Sequence, residues 1–290
     1  MEATRAINEK AEFRAAAGRL GIPVPRLLDW KQAVSAPAVI VKPVDSFSGR
    51  GIAILRNPTS LDLDAARTSA CAASKTGTAL VEEFVEGQLY SHSAYLRGGR
   101  VIADFIVQED CTTHPFTVDT SRVVFDFPEA VLGALRADAC KLSSGLGLVD
   151  GLIHSQFILA GDHYWIVEVT RRCPGDLYAL LIEMSTGYLY GASYAAPFIG
   201  SQAQERNTGL FEKRIIRHTV TLKDGGHLWG LGFRRPVDLK FFVPLATAGD
   251  YIKPSPYGRV GLFFLEAASE EDQEEIYANL LVRNLYKFTL

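Results

Sequence analysis

The sequence predicts an α+β fold in which short antiparallel strands outnumber the helices. Many of the predicted strands are joined by tight turns, which favours hairpins over the long crossovers of a doubly wound parallel sheet. The chain has 290 residues, of which 48% are hydrophobic and 22% are charged, a composition that supports a sizeable buried core and excludes a disordered chain. Thirty basic and thirty-three acidic residues leave a net charge of -3, so no overall field would attract nucleic acid or a membrane.

Caps, turn residues and apolar periodicity locate the individual elements. Ser60 is expected to cap a helix, Gly98-Gly99 to form a type I′ hairpin turn, and Ser269 with Asp272 to open a final helix. The helices are predicted at 7–20, 60–75, 128–146, 176–199 with a break near Gly187, and from 269 onward. The strands are predicted at 39–42, 51–55, 78–85, 90–107 as a hairpin, 151–159, 164–170, 215–222 and 239–243.

The first candidate site is a loop rich in serine and glycine that follows Lys42. Without bulky side chains, its backbone N–H groups could approach an anion, and Lys42 would add a positive charge. The segment is not a P-loop, because no Gly-Lys-Ser/Thr opens a helix, and it is not a dinucleotide motif, because a strand follows it. It predicts a phosphate-binding loop, with an ordinary hairpin turn as the alternative. The small residues that would line the phosphate are Ser46, Ser48, Gly49 and Gly51.

One predicted hairpin carries a candidate metal site. If Gly161–His163 forms a three-residue turn, Gln156 lies opposite Glu168. His154 then lies opposite Thr170, and the period of two places all four side chains on one face of the sheet. Opposed Cβ atoms lie about 4.5–5.5 Å apart, and the oxygens of Gln156, Glu168 and Thr170 suit Mg²⁺. A two-residue turn would shift this register by one residue, and a half-exposed polar face is the alternative to a metal site.

Arg172 follows the same hairpin, within the segment Arg171-Arg172-Cys173-Pro174-Gly175. Two adjacent guanidinium groups beside a candidate metal site would suit a carboxylate or a phosphate. Surface arginines at a turn are the alternative interpretation.

Other classes of protein are disfavoured by the sequence. The four cysteines are too widely spaced for a zinc site, and a disulfide framework is not expected in a chain of this length. The N-terminal segment has charges every few residues instead of an apolar signal region, and no apolar window is long enough to span a membrane. We therefore expect a cytoplasmic protein.

The candidate segments occur in the order of one known family, and nearly the whole chain resembles the ATP-grasp carboxylate–amine ligases. Each segment alone is a weak signal, but four in the right order at plausible separations are fairly specific. The family's opening segment is similar to Asn8-Glu9-Lys10 with Arg14 and Gly21-Ile22-Pro23-Val24-Pro25, and its phosphate-covering loop is similar to Lys42-Pro43 with the loop that follows. The adenine hinge of the family is similar to Glu82-Glu83-Phe84-Val85-Glu86-Gly87. Its metal-binding segment, E-x-N-x-R-x-P-G, is similar to Glu168 to Gly175.

The resemblance implies an ATP-grasp fold with two α+β subdomains that enclose a nucleotide. The small lid subdomain would cover residues 1–82, and the large subdomain with the metal site would cover residues 83–290. The implied cofactors are ATP and Mg²⁺, with Mn²⁺ as a possible substitute. By this resemblance, the phosphates would be neutralised by Lys10 and Lys42, and adenine would be bound by the backbone around Glu82, Glu83 and Val85. The metal would be bound by Gln156, Glu168 and Thr170. Arg172 would contact the substrate carboxylate or the acyl phosphate.

The activity implied by the resemblance is an ATP-dependent ligation. A carboxylate attacks the γ-phosphate of ATP, and the acyl phosphate is then captured by an amine, so the expected partners are small molecules and not nucleic acid or a membrane. Lys42 and Arg172 would be the catalytic residues. Two alternatives remain open: a degenerate ATP-grasp module that binds a nucleotide or a partner without catalysis, and a bicarbonate-using carboxylase or carbamoyl-phosphate-type subunit.

Three departures from the family pattern refine these expectations. Gln156 and Thr170 stand where the family has an acidic residue and an asparagine, so Glu168 is the one carboxylate of the predicted metal site. Leu89 stands where the family has an acidic residue for the ribose. The family commonly carries a further N-terminal domain of about a hundred residues, so a homodimer or a separate partner chain is expected to complete the substrate site. His114 and Arg122 are additional candidates for contact with the transferred phosphate.

Overall fold

A computed structural model describes residues 3, 6–7, 9–46, 49–206 and 211–289 of the chain. The chain forms two compact units: the first unit comprises Met1–Asp104 with Phe127–Arg172, and the second comprises Phe105–Asp126 with Cys173–Leu290. The predicted boundary between a small and a large subdomain, at residue 82, divides the chain differently and stays a prediction.

Helices and strands follow one another in no regular order, and the strand pairs are antiparallel, which is typical of an α+β fold. The α-helices that lie wholly within the described residues are α1 (Lys10–Leu20), α2 (Trp30–Val34), α3 (Ser60–Ala73), α4 (Glu129–Leu146), α5 (Tyr178–Thr186), α6 (Tyr190–Ala195) and α7 (Glu270–Leu281). The strands are β1 (Leu27–Leu28), β2 (Ala38–Pro43), β3 (Ala53–Arg56), β4 (Ala79–Glu83), β5 (Gln88–Arg97), β6 (Arg100–Asp110), β7 (Thr120–Val124), β8 (Gly151–Ala160), β9 (His163–Thr170), β10 (Ile215–Val220), β11 (Gly226–His227), β12 (Gly230–Phe233), β13 (Asp238–Pro244), β14 (Tyr251–Ile252), β15 (Gly261–Glu266) and β16 (Tyr286–Thr289).

A four-stranded antiparallel sheet of the first unit has the order β1-β4-β2-β3. Its β-branched residues Val39, Val41 and Val81 are buried against α3, so the apolar run of β2 forms a core strand, as its composition predicts. The predicted N-cap of α3 was wrong by one residue. Thr59 caps the helix instead of Ser60, because its hydroxyl accepts from the Asp62 N–H while the Asp62 carboxylate accepts from the Thr59 N–H.

The other strands of the first unit include β5, β8 and β9, which pair antiparallel in that order. The predicted hairpin turn at Gly98-Gly99 is confirmed: β5 ends at Arg97, β6 begins at Arg100, and both glycines have positive φ angles, 57° and 74°. Left-handed backbone at both central residues is what a type I′ turn requires. The turn between β8 and β9 is described with the candidate site.

The second unit contains an antiparallel array in the order β13-β15-β10-β7-β6. Helix α7 contributes Ile276 and Leu280 to a core that also contains Phe263 and Leu265 of β15. The predicted cap of this helix is confirmed, since the Ser269 hydroxyl accepts from the Asp272 N–H at 3.1 Å. The predicted break near Gly187 is confirmed as well, because this glycine ends α5 with a φ angle of 75°.

Strand β7 lies in a stretch for which the sequence predicted neither a helix nor a strand. Its first residues are polar, and it is a strand because β6 and β10 pair with it on both edges. Among the described residues, no helix is long and apolar enough to cross a lipid bilayer.

Candidate functional site

A buried ion-pair cluster lies at the centre of the candidate site in the first unit. The Glu82 carboxylate is fully buried, and its Oε2 atom accepts a hydrogen bond from Lys42 Nζ at 2.7 Å. Its Oε1 atom lies 2.7 Å from Arg14 Nε. Lys42 and Arg14 are themselves only 8% and 4% exposed. We call Arg14, Lys42 and Glu82 the Glu82 cluster.

Strand pairing explains how the Glu82 cluster forms. Ile40 of β2 lies opposite Glu82 of β4, and Lys42 lies opposite Leu80. Because side chains two residues apart share one face of a strand, Lys42 and Glu82 are diagonal neighbours on the same face of the sheet. Arg14 reaches them from α1, where it lies one helical turn after Lys10.

Lys10 links the Glu82 cluster with the predicted metal ligand Glu168. Its ammonium group donates a hydrogen bond to the Ser46 carbonyl oxygen at 3.0 Å, at the start of the predicted phosphate loop. Burial lowers the pKa of Lys10, and the positive charge of Lys42 lowers it further. The Glu168 carboxylate has the opposite effect and raises the pKa of Lys10. Lys10 therefore lies within electrostatic reach of both Lys42 and Glu168, which places these predicted residues in one neighbourhood.

The register of the β8–β9 hairpin is confirmed, although the predicted turn was wrong. Gln156 pairs with Glu168 and His154 pairs with Thr170, as expected. The strands are joined by two residues and not three, because Ala160 pairs with His163. A β-bulge between Gln156 and Phe157 shifts the register by one residue. The part of the hairpin on the side of the bulge away from the turn therefore has the predicted pairing.

The bulge is held by residues of the opening segment. Gln156 lies opposite Glu168 and Phe157 lies opposite Ile166, which leaves Val167 as the extra residue. The Val167 carbonyl oxygen accepts from Arg14 Nη2 at 2.9 Å. The same arginine that pairs with Glu82 therefore also fixes the strand next to Glu168.

The donor set of the predicted metal site fits Mg²⁺. Gln156, Glu168 and Thr170 offer an amide, a carboxylate and a hydroxyl oxygen, and Mg²⁺ is commonly bound by one or two carboxylates together with substrate phosphates. The Glu168 side chain is exposed, and its carboxylate makes no hydrogen bond or ion pair with any residue that the structure describes. Within the same residues, no group of three His, Cys, Asp or Glu side chains could hold a metal. Glu168 is thus the one carboxylate of the predicted metal site, and metal binding there stays a prediction.

His154, on the same strand as Gln156, is a buried neutral residue. Its Nδ1 atom is hydrogen-bonded to the Ser93 hydroxyl at 2.8 Å. Burial lowers the pKa of His154 to about 3, with a further contribution from His92 and Arg172. The imidazole therefore adds no charge to the site near neutral pH.

The three residues of the predicted adenine hinge have different interactions. The Glu82 side chain belongs to the ion-pair cluster, and the Glu83 N–H donates to the Arg26 carbonyl oxygen at 3.0 Å. The Val85 N–H has no partner among the residues that the structure describes. Adenine binding stays a prediction, in which Val85 supplies the backbone donor.

Two glycines of the predicted phosphate loop adopt left-handed conformations. Gly49 and Gly51 have φ angles of 71° and 69°. A Cβ atom on Gly51 would lie 2.5 Å from Ala73 Cβ, so this glycine also permits the close approach of α3. Ser48 lies outside the described residues, and the phosphate role of the loop stays a prediction.

Replacement of Gly51 by alanine is expected to lower the free energy of unfolding by about 2–4 kcal/mol, from left-handed strain together with overpacking. Gly77 is a matched control, because its φ angle is 68° and a Cβ atom added there would have no neighbouring atom within 4 Å. We expect Gly77→Ala to cost only the backbone contribution, about 1–2 kcal/mol. Urea denaturation of both variants measures the difference, and equal losses would contradict the packing role of Gly51.

The two additional phosphate candidates lie in the second unit. Arg122 donates to Gln108 Oε1 at 3.1 and 2.9 Å and pairs with Glu274 at 2.6 Å. His114 accepts a hydrogen bond from the Phe116 N–H at 3.4 Å. Arg122 is thus paired with a carboxylate of the second unit, and contact of either residue with the transferred phosphate stays a prediction.

Arg14 is the residue of the site whose role the sequence did not assign. The sequence does contain an indication of its role, because Lys10 and Arg14 are four residues apart and share one face of α1. Two basic residues on one helix face, beside buried positions, indicate a common acidic partner or a common anion.

Solved structures of other proteins match nearly the whole chain. Phosphoribosylglycinamide synthetase from Anaerococcus prevotii is 17% identical, with a TM-score of 0.71 over 100% of this chain and 75% of its own. L-amino acid ligase from Bacillus licheniformis is 17% identical, with a TM-score of 0.76 over 99% of this chain and 74% of its own. The biotin carboxylase domain of the Hydrogenobacter thermophilus 2-oxoglutarate carboxylase is 17% identical, with a TM-score of 0.71 over 98% and 67%.

These matches define the fold of the chain. No protein-family model matches the sequence. At 17% identity, the likeness concerns the fold and not the activity. The chain has the ATP-grasp fold, which confirms the α+β architecture and the fold that the sequence resemblance implied.

Proposed function

We propose that the chain is an ATP- and Mg²⁺-dependent ligase that activates a small-molecule carboxylate as an acyl phosphate for capture by an amine. The observation that carries this proposal is that Arg14, one helical turn after Lys10, pairs with Glu82 and also donates to the carbonyl oxygen next to Glu168. Membership of the predicted phosphate-binding lysines and the predicted metal ligand in the same unit also supports the proposal.

The charges of this neighbourhood suit a triphosphate. Lys10, Arg14 and Lys42 are three cations, and Glu82 and Glu168 are two carboxylates, so one positive charge remains before any ligand binds. Glu82 neutralises part of the charge and orients Lys42, while the Glu168 carboxylate stays available for a cation. Phosphoryl transfer depends on such fixed charges and on positioning, and it requires no nucleophile from the protein.

The proposed reaction has two steps. A carboxylate oxygen of the substrate attacks the γ-phosphorus of ATP, a new P–O bond forms, and the bond to the β,γ-bridging oxygen breaks to release ADP. The amine nitrogen then attacks the acyl carbon, a C–N bond forms, inorganic phosphate leaves, and the nitrogen loses a proton. Lys42 would neutralise charge on the transferred phosphoryl group, and Arg172 would hold the substrate carboxylate or the acyl phosphate.

Gln156, Glu168 and Thr170 would hold the divalent cation, Mg²⁺ or Mn²⁺. When bound, this ion would neutralise the phosphate oxygens and help to align them. The Thr170 hydroxyl accepts from the Arg172 N–H at 3.3 Å, which ties the end of β9 to the segment that carries the Arg172 guanidinium. This contact supports a common location for the proposed metal ligands and the proposed substrate-binding arginine.

Loss of the Lys10 ammonium group is expected to weaken ATP binding about tenfold or more, because a hydrogen bond to a charged group contributes about 1.5–3 kcal/mol. Lys10→Met leaves no buried carboxylate unpaired, since Lys10 donates to a backbone carbonyl. Lys31→Met, an exposed lysine of α2, is the matched control. Calorimetric titration with ATP, with and without Mg²⁺, tests the proposal. No binding of ATP to the unmodified chain at millimolar concentration, or equal affinities of the two variants, would contradict it.

A non-catalytic nucleotide-binding module is the second candidate function. It is favoured by the single carboxylate in the predicted metal site, since Gln156 and Thr170 carry no charge. ADP release in mixtures of carboxylates and amines distinguishes the two functions. ATP affinity without turnover in any mixture would support the module.

A bicarbonate-using reaction is the third candidate. One of the matched structures, the Hydrogenobacter thermophilus domain, was solved with MgADP and bicarbonate. ADP formation that depends on bicarbonate, and not on an added organic carboxylate, would bring this candidate forward for the present chain.

A further inference from the structure

The second unit contains a cavity of about 720 Å³ beside the end of β10 and the end of α7. None of its lining residues belongs to the candidate nucleotide site. Four of them are basic, Lys223, Arg234, Arg283 and Lys287, whereas Asp224 is the one acidic residue in the lining. We propose that this cavity binds a phosphate-bearing small organic molecule, a site additional to the proposed ATP site.

The two arginines of the cavity are held by neutral groups. Arg283 Nη2 donates to the Thr113 hydroxyl at 2.8 Å, and Arg234 Nε donates to the Tyr286 carbonyl oxygen at 3.3 Å. Neither forms an ion pair with a carboxylate among the described residues. By contrast, Arg235, which follows Arg234 in the sequence, forms an ion pair with Asp272 at 3.1 Å. The charges of Arg234 and Arg283 are therefore available for an anionic ligand.

Thr113 fixes the orientation of the Arg283 guanidinium. The Thr113 hydroxyl donates its proton to the buried Asp119 carboxylate, so only its lone pairs remain for Arg283. Thr112 donates to the same carboxylate from its N–H and its hydroxyl, at 2.9 and 2.8 Å. A guanidinium group anchored through a fixed hydroxyl keeps its other N–H groups preorganised for phosphate oxygens.

The backbone at Arg283 is left-handed, with a φ angle of 55°. It follows the end of α7, and its N–H donates to the Leu280 carbonyl oxygen at 2.9 Å. Glycine or asparagine is the usual residue at such a position, because a Cβ atom is disfavoured there. The chain instead places a long cationic side chain there, beside the cavity, and strained backbone of this kind is concentrated at ligand sites.

The lining indicates the chemical class of the ligand. Four cations and one carboxylate give three excess positive charges, which exceed what a single carboxylate group would neutralise and suit a phosphate dianion. Leu222, Leu281, Val282 and Phe288 supply an apolar wall for an organic part of the ligand. The volume is that of a small-molecule pocket, for which about 300–1,000 Å³ is usual.

Calorimetric titration of the full chain with phenyl phosphate, without divalent cations, tests the proposal, and benzoate is the monoanionic counterpart with the same ring. We expect phenyl phosphate to bind and benzoate to bind at least about fivefold more weakly. Arg234→Gln and Arg283→Gly are expected to reduce the phenyl phosphate affinity at least about fivefold. Glycine suits the backbone of residue 283, so Arg283→Gly removes the guanidinium without strain.

Two controls make the outcome decisive. Arg235→Gln removes one arginine that does not line the cavity, and Lys10→Met alters the proposed nucleotide site; both should bind phenyl phosphate within about twofold of the unmodified chain. The proposal would be overturned by no binding of phenyl phosphate, by equal affinity for benzoate, or by an equal loss in Arg235→Gln. A loss in Lys10→Met with none in Arg283→Gly would also overturn it, because the phosphate would then bind at the nucleotide site.

Discussion

Replacement of Glu82 by glutamine is expected to lower the free energy of unfolding by about 3–5 kcal/mol, the usual cost when one partner of a buried ion pair is removed. Lys42 and Arg14 are both buried, and both lie 2.7 Å from a Glu82 oxygen. Without the carboxylate, two positive charges would remain in a region of low water content. An amide of the same size cannot neutralise either of them.

The size of this effect should depend on pH. Burial opposes ionisation of Glu82, but Lys42 and Arg14 outweigh burial and lower its pKa below the usual value of 4.5. The unfolded chain takes up a proton at this group near pH 4.5, whereas the folded chain keeps it ionised to a lower pH. The stabilisation is therefore complete above this pH and is lost as the pH falls through the folded pKa. The difference in the free energy of unfolding between the unmodified chain and Glu82→Gln should therefore become smaller as the pH falls.

Urea denaturation near neutral pH and near pH 4 measures both predictions. Glu83→Gln is the matched control, because Glu83 is the adjacent acidic residue and pairs with the exposed Arg26 at 3.5 Å. Exposed ion pairs contribute about 0–1 kcal/mol, so this variant should be close to the unmodified chain. A loss of similar size in Glu82→Gln and Glu83→Gln would contradict the central position of Glu82.

Replacement of Glu168 by glutamine is expected to reduce turnover by about 100-fold or more, the usual cost of removing one group that stabilises transition-state charge. Glu168 is the single carboxylate of the proposed metal site, and glutamine keeps its size while it removes the charge. The stability of the chain should change little, because this exposed carboxylate makes no hydrogen bond or ion pair among the described residues. Loss of activity with unchanged stability would separate a metal-binding role from a structural one.

Asp162→Asn is the control for this variant, since Asp162 is an exposed carboxylate in the turn of the same hairpin. It should retain full turnover. ADP release at several Mg²⁺ concentrations provides the readout, and Glu168→Gln should also require a higher concentration of Mg²⁺. Full turnover of Glu168→Gln at low Mg²⁺ would remove Glu168 from the proposed site.

The sequence predicted the pairing of Gln156 with Glu168, but for a reason that the structure corrects. Counting from a three-residue turn gave the right register because a bulge compensates for a turn that is one residue shorter. Alternating polarity identifies the face of a strand, but it does not show where an extra residue enters. The extra residue of the bulge, Val167, accepts a hydrogen bond from Arg14, which is 153 positions away in the sequence.

The side-chain role of Glu82 could not be read from the chain for a similar reason. The resemblance placed Glu82 in an adenine hinge, and the ion pair arises only when α1 brings Arg14 against the sheet. In the second unit, β7 and the short strands β12 and β16 were missed because their conformation depends on distant pairing partners and not on their own apolar pattern. Helices with specific caps, such as α7, were easier to place.

A crystal structure of the chain with a non-hydrolysable ATP analogue and Mg²⁺ tests the proposed site most directly. We predict that Lys10 and Lys42 contact the triphosphate, that the cation is bound by Glu168 and Gln156, and that the adenine accepts a hydrogen bond from the Val85 N–H. A nucleotide bound at other residues, with Glu168 distant from the cation and Lys42 still paired only with Glu82, would contradict the proposed function.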